Sequence, residues 1–209
     1  MIILTAGHTG TGTGAQCATT QFDEGAETIW LRDRIAEILT NKYGLVVLID
    51  NDTASLQLLT QSIQSASRLN NLDSEASSLS RTSTPKTSKA STFLTPNSSF
   101  LIDLHFNAHT NPQARGCETI VADDATDTEL RIASKFAHIT AQTLEIPLRC
   151  IKSESQTPHK RLAMLHLTPQ SIILEVCFIT SPDDAEAYRK NRYKLANKLA
   201  QTIAKLVKP

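Results

Sequence analysis

The sequence predicts a single α/β domain with a mixed, mostly parallel β-sheet flanked by helices. Short apolar runs alternate along the chain with longer segments whose apolar residues recur at helical spacing. The chain has 209 residues, enough for one hydrophobic core without disulfide bonds or a structural metal. Hydrophobic residues make up 40% of it and charged residues 20%, which is typical of globular proteins and excludes wholesale disorder.

The first part of the chain contains two predicted strands separated by a helix. The apolar run Ile2–Ala6 stops at a glycine and a histidine and leads into a loop rich in glycine and threonine, as a buried strand does. Isoleucine and leucine recur at helical spacing in Glu24–Tyr43, and Gly44 supplies a stop signal. Residues 45–49 form the second predicted strand.

The middle of the chain has a different composition. Residues 54–72 have a weaker helical pattern, and about residues 73–99 are rich in serine, threonine and lysine. This composition buries too little apolar surface to offset the entropy of ordering, so we predict a surface insertion within the single domain. A solvated loop without a catalytic role is the simpler interpretation, and a lid or binding flap is the alternative.

The last part of the chain returns to alternating strands and helices. An apolar run at residues 100–104 ends on a histidine, and a second strand follows a glycine turn. Strands are predicted at residues 100–104, 119–122 and 172–178, and helices at residues 130–144 and 185–207.

Charge and hydropathy exclude several classes of partner. The 21 basic residues balance 21 acidic ones, which argues against a nucleic-acid-binding protein. The apolar runs are far shorter than the roughly 20 residues that span a bilayer, so we expect no membrane insertion. The N-terminus lacks a basic segment before its short apolar run, so we expect synthesis in the cytoplasm without a signal peptide. The cysteines lack a C-x-x-C pair and are expected to be reduced thiols: Cys17, Cys117, Cys150 and Cys177.

Three chemically reactive side chains lie at or within predicted strands. His8 follows the first strand, His105 ends the run at residues 100–104, and Glu175 interrupts the apolar run at residues 172–178. In parallel sheets, ligand sites form at the carboxyl ends of strands. A single histidine there is usually structural, and a single buried glutamate is usually an ion-pair partner. The coincidence of all three favours a functional site.

The residue types suit a catalytic metal ion. Catalytic zinc commonly takes three imidazole or carboxylate ligands and leaves a fourth position to water. Zinc-bound water has a pKa near 7, and a nearby carboxylate can take its proton and pass it to a leaving amine. The apolar strand around Glu175 would raise the pKa of that carboxyl for such a role. The residues alone therefore predict a metal-assisted hydrolase.

Five short segments carry a family resemblance. They are Ala6-Gly7-His8, the acidic start of the first helix, and the sequences LHFNA at 104–108, RGCE at 115–118 and LEVCFI at 174–179. In this order, and over nearly the whole chain, they resemble the zinc-dependent N-acetylmuramoyl-L-alanine amidases of the AmiC type. The resemblance implies hydrolysis of the amide between N-acetylmuramic acid and the L-alanine of the peptidoglycan stem peptide.

The resemblance also implies roles for individual residues. His8, a glutamate of the first helix and His105 would bind one zinc ion, and Glu175 would be the catalytic acid and base. We favour Glu24 as the helix ligand, because residues 24–36 resemble an E-x-x-x-T-x-x-L-R pattern of relatives. Glu27 is the alternative, since it lies on much the same helix face.

Further positions resemble substrate-binding residues of the family. These are Asn107, Glu118 and Arg161, for which turn chemistry, a surface salt bridge and a solvated side chain are the alternatives. Other histidines have no counterpart in the resemblance, and we expect them to be structural or exposed. They are His109, His138, His159 and His166.

The resemblance implies peptidoglycan as the partner, and we expect the protein to be a monomer. Without a signal peptide, action on the cell wall requires release by phage lysis or another export route, so we expect an endolysin-like protein. Two other functions stay open at this point. One is a zinc peptidase that cuts within the stem peptide, and the other is a non-catalytic wall-binding homologue.

Overall fold

A six-stranded sheet forms the centre of the computed structural model, which describes residues 1–8, 12–50, 61 and 99–207. The strand order is β4-β1-β5-β8-β6-β7, and every neighbouring pair is parallel except β6 and β8. A short hairpin, β2–β3, lies apart from this sheet. The strands are β1 (Ile2–Ala6), β2 (Gln16–Cys17), β3 (Phe22–Asp23), β4 (Val47–Ile49), β5 (Phe100–Asn107), β6 (Cys117–Val121), β7 (Leu148–Ser153) and β8 (Gln170–Phe178).

Three long helices cover one face of the sheet. They are α1 (Glu24–Tyr43), α2 (Asp127–Leu144) and α3 (Pro182–Val207). Alternate strand residues such as Leu4 and Ile102 pack with these helices in the main core. The intervening residues, such as Ile3 and Ile173, face the other side of the sheet. That side is covered in part by a short 3₁₀ helix, Ala163–His166.

Local signals explain where α1 begins and ends. The Asp23 side chain accepts a hydrogen bond from the Ala26 amide at 3.1 Å and caps the first turn. Gly44 ends the helix in the left-handed conformation, with φ of 63°. The helix thereby starts immediately after a strand, which fixes the position of Glu24 in its first turn.

The predicted fold class is confirmed. The predicted strands and helices after residue 99 are present, with ends displaced by a few residues as α2 and α3 begin earlier than expected. The sequence did not predict the β2–β3 hairpin or the edge strand β7, whose first three residues are exposed. The predicted helix at 54–72 and the insertion at about 73–99 lie outside the described residues, apart from Gln61 and Ser99.

Two further predictions concern the cysteines and the membrane. All four cysteines are free, and Cys117 and Cys177 are buried. Among the described residues, no helix combines the length and the apolar character needed to cross a bilayer.

Candidate active site

A cavity of about 650 Å³ opens where β1 and β5 end, beside the middle of β8. His8, Glu24 and His105 line it together with Glu175. Residues of β5, of β8 and of the loop after β1 meet at this cavity, because parallel strands present their carboxyl ends at the same edge of the sheet.

The two histidines and Glu24 converge on one point. Glu24 Oε2 lies 3.5 Å from His8 Nε2, and Glu24 Oε1 lies 3.3 Å from His105 Nδ1. One nitrogen or oxygen of each residue lies within 4.8 Å of the others. Within the described residues this is the one group of histidine, cysteine and acidic side chains arranged to hold a metal ion.

Two glycines make this convergence possible. A Cβ atom on Gly7 would lie 2.1 Å from the imidazole of His105. A Cβ atom on Gly14 would lie 2.5 Å from the His8 ring and 2.7 Å from Glu24 Oε2. Gly14 also has φ of 73°, a conformation that favours glycine. Gly7, immediately before His8, and Gly14, in the segment that follows it, are therefore required by the packing of the site.

Glu24 is held as a buried carboxylate by the backbone. The Ala15 amide donates to Oε2 at 2.8 Å, and the Phe106 amide donates to Oε1 at 3.1 Å. Burial alone would raise the pKa of Glu24, but hydrogen bonds from His105 and these two amides lower it below its ordinary value. Glu27 instead pairs with Arg192 of α3 at 3.1 Å. The structure thus places Glu24, and not Glu27, beside the histidines.

A buried aspartate orients His105. Asp103 Oδ2 lies 3.1 Å from His105 Nε2, and Asp103 Oδ1 accepts a hydrogen bond from the Thr5 hydroxyl at 2.7 Å. Burial alone would lower the pKa of His105. The charge of Asp103, hydrogen bonds to Asp103 and Glu24, and the charge of Glu175 together raise it well above its ordinary value. His105 therefore has one ring nitrogen held by Asp103 and the other turned towards Glu24.

Glu175 on β8 lies between His105 on the neighbouring strand β5 and Glu118 on the neighbouring strand β6. Its register partners are His105 on β5 and Glu118 on β6, so the three side chains form a row on one face. Burial and the charges of Glu24, Glu118 and Asp103 raise the pKa of Glu175 to about 7, although the charge of His105 opposes the rise. Its Oε2 atom is buried without a hydrogen-bond partner in the described part of the chain.

Glu118 is buried in a network of its own. Its Oε1 accepts hydrogen bonds from Asn107 Nδ2 at 2.8 Å and Lys152 Nζ at 2.7 Å. Its Oε2 accepts one from Arg149 Nε at 2.8 Å. Glu118, predicted to bind substrate with a surface salt bridge as the alternative, instead forms buried salt bridges, and both of its carboxylate oxygens are bound within the protein. Two cations beside Glu118 offset the charge that it places next to Glu175.

The remaining predicted residue, Arg161, is exposed and lines the same cavity. His159, expected to be structural or exposed, is exposed and lines this cavity as well. The sequence did not identify Asp103 or Lys152 as parts of the site. Asp103 could have been identified from the sequence, because it precedes His105 by two residues in a strand and therefore lies on the same face of the sheet. Lys152 belongs to the strand that the sequence did not predict.

Comparisons with known proteins agree with this architecture. The catalytic domain of the CD27L endolysin, which targets Clostridia difficile, superposes with a TM-score of 0.62 at 19% identity, covering 97% of this chain and 95% of that one. An N-acetylmuramoyl-L-alanine amidase from Clostridium difficile 630 gives 0.63 at 20% identity, with 97% and 93% covered. The amidase AmiC2 of Nostoc punctiforme gives 0.64 at 18% identity, with 99% and 93% covered. At these identities the likeness establishes the fold.

Sequence comparison establishes the family. A search of curated proteins found no match. The family model described as N-acetylmuramoyl-L-alanine amidase matches residues 2–208, almost the whole chain. The chain belongs to the N-acetylmuramoyl-L-alanine amidase family.

Proposed function

We propose that this protein is a zinc-dependent hydrolase that cleaves the amide between N-acetylmuramic acid and the L-alanine of the peptidoglycan stem. In this proposal His8, Glu24 and His105 bind one zinc ion, and Glu175 is the catalytic acid and base. The observation that carries the proposal is the convergence of the three ligands in a cavity that also contains Glu175. Family membership supplies the substrate bond.

The spacing of the three side chains suits zinc. Two ligands of a tetrahedral ion with bonds of about 2.1 Å lie about 3.4 Å apart. Glu24 lies 3.5 Å from His8 and 3.3 Å from His105. Two imidazoles and one carboxylate are a common donor set of catalytic zinc, whose remaining ligand is usually water. The contact between Asp103 and His105 resembles the carboxylate contacts that orient zinc-binding histidines.

Bound zinc would polarise the scissile carbonyl and lower the pKa of water. Glu175 can accept a proton at its unpartnered Oε2 and donate it to the leaving amide nitrogen. In the protein without metal, burial raises the pKa of Glu175 to about 7, a direction that favours both uptake and release of a proton near neutral pH. We propose that Arg161 contacts the substrate from the cavity wall, and that Asn107 and Glu118 shape that wall through their mutual hydrogen bond.

Product analysis of digested sacculi tests the bond that is cleaved. We expect released stem peptides that begin with L-alanine and glycan strands that keep their full length. A new amino terminus elsewhere in the stem would instead identify a peptidase. A protein that binds sacculi with zinc in place but releases nothing would be the non-catalytic wall-binding homologue.

Two variants test the assigned roles. Glu175→Gln should keep zinc and fold but lose about 10²- to 10⁴-fold in activity, the contribution typical of general acid–base catalysis. His8→Ala should lose zinc and activity together. Zinc content and sacculus hydrolysis are measured on the same samples. Hydrolysis by Glu175→Gln at the parent rate would show that Glu175 is a structural carboxylate.

A further inference from the structure

A second cavity, of about 450 Å³, lies between α2 and α3 and shares no residue with the candidate active site. Four of its lining residues are lysines, and none of the described residues that line it is acidic. We call this surface the lysine groove. Its lysines are Lys135 on α2 and Lys194, Lys198 and Lys205 on α3.

The groove concentrates charge in a chain whose net charge is zero. After Glu186 the sequence contains seven basic residues and no acidic one. Several other surface cations have acidic partners, as Arg34 has in Glu37 and Arg192 has in Glu27. The α3 lysines of the groove differ, because they form no ion pair with any residue that the structure describes: Lys194, Lys198 and Lys205.

This arrangement has an electrostatic cost that a bound anion would relieve. Lys194 and Lys198 are four residues apart on one helix, where like charges repel. The three α3 lysines of the groove are exposed, so an external ligand can reach them. Gln142 and Gln201 line the same cavity and add neutral amide donors. The groove therefore offers several cations and hydrogen-bond donors to one ligand.

The length of the groove indicates the size of that ligand. The rise per residue of a helix places Lys194 and Lys205 about 16 Å apart along α3. A small anion cannot contact both ends, whereas a linear polymer with repeated anionic groups can. Lysine ammonium groups bind phosphate as point charges. Duplex nucleic acid would need a broader positive surface than one groove between two helices.

We propose that the lysine groove binds a linear polymer of phosphodiester-linked units. The binding is separate from amide cleavage, because the groove and the candidate active site have no lining residue in common. It would hold the protein on a phosphate-bearing surface while the other cavity acts on its substrate.

Titration with a synthetic linear glycerol-phosphate oligomer tests the proposal. The affinity of the parent protein should fall steeply as the salt concentration rises. Replacing all three α3 lysines, as Lys194→Gln, Lys198→Gln and Lys205→Gln, should reduce the slope of log affinity against log salt by about 2, because each lost contact with a single strand accounts for about 0.7. Circular dichroism and thermal unfolding confirm that the variant folds.

Single variants provide a matched comparison. Lys198→Gln should weaken binding of the oligomer several-fold, whereas Lys42→Gln, which removes an exposed lysine of α1 outside the groove, should not. Both should hydrolyse a soluble substrate at the parent rate. The proposal fails if the triple variant binds the oligomer like the parent. It also fails if polyglutamate of matched charge or duplex DNA binds the parent more tightly than the oligomer.

Discussion

At the scale of single residues, the site is organised by contacts that fix each reactive group. Glu24 is held by two backbone amides, His105 by Asp103, and Glu118 by Asn107 and two cations. Glu175 differs, because its buried Oε2 lacks a partner among the described residues. Burial of a carboxyl oxygen without a hydrogen-bond partner costs free energy of folding. Buried unpaired carboxyl groups are typical of residues that act on a ligand.

Asp103→Asn should weaken zinc binding without unfolding the protein. The asparagine can still accept the Thr5 hydroxyl, but it loses the charge that orients His105. Loss of such a partner typically lowers metal affinity about 10- to 100-fold. Competition with a chromophoric chelator measures this affinity. Asp124→Asn, at an exposed position, is the control, and equal affinities for both variants would show that Asp103 has no part in metal binding.

Glu175 should make the stability of the metal-free protein depend on pH. Its pKa is about 7 in the folded state and 4.5 ordinarily, so between these values the folded state binds more protons. The free energy of unfolding should therefore fall as the pH rises from 4.5 to 7, by up to about 3 kcal/mol from this group, and then level off.

Urea unfolding in EDTA at pH 5 and pH 8 measures this effect. Glu175→Gln lacks the titration, so its unfolding free energy should decrease less between the two pH values than that of the parent. The variant also loses the Glu175 charge that helps to raise the pKa of His105, which should reduce its pH dependence further. Equal decreases in the two proteins would mean that Glu175 ionises near its ordinary pKa.

At the scale of elements, the start of α1 links helix capping to the site. The Asp23 side chain caps the helix at the Ala26 amide, and its other oxygen accepts a hydrogen bond from the Gly12 amide at 2.7 Å. The next residue is Glu24. The cap therefore fixes both the helix that carries one proposed ligand and the loop that packs on it.

A pair of cap variants separates the effect of a helix cap on stability from its effect on the proposed metal site. Asp23→Ala and Thr126→Ala each remove the cap of one helix, α1 or α2, and each should lower the free energy of unfolding by about 1 kcal/mol. Only Asp23→Ala should also weaken zinc binding, because α2 carries no residue of the metal group. Chemical unfolding and zinc titration are measured on both. Equal zinc affinities would show that the cap does not position Glu24.

The buried strands could be predicted from the sequence, whereas the exposed edge strand could not. β1, β5 and β8 are buried apolar runs, and such runs are visible without a structure. β7 is an exposed edge strand and has no such run, so Lys152 and Arg149 could not be placed beside Glu118. Glu27 could not be set apart from Glu24 in the sequence, because its partner Arg192 is distant along the chain and adjacent only after folding.

At the scale of the whole molecule, the core does not depend on the metal group. The main hydrophobic cluster combines residues of all three helices and the central strands. His8, Glu24 and His105 lie at one edge of the sheet, at the margin of this cluster. The apolar contacts of the fold therefore form without any contribution from the proposed zinc ion.

Removal of zinc should accordingly leave a folded protein of lower stability. A ligand at 1,000 times its dissociation constant adds about 4 kcal/mol to the free energy of unfolding. We expect cooperative thermal unfolding with and without EDTA, at a lower midpoint in EDTA. Near-ultraviolet circular dichroism should keep its native form in EDTA. Loss of the cooperative transition on chelation would show that the metal is required for folding.

The row formed by His105, Glu175 and Glu118 depends on the pairing of β8 with both neighbours. Because side chains alternate between the faces of a sheet, a slip of β8 by one position would turn Glu175 into the helix-covered core and bring Leu174 or Val176 to the cavity. The same error would bury a carboxyl group among apolar side chains and expose a large aliphatic one. A misregistered chain is thus both inactive and unstable, so quality control that detects instability would also remove the inactive molecules.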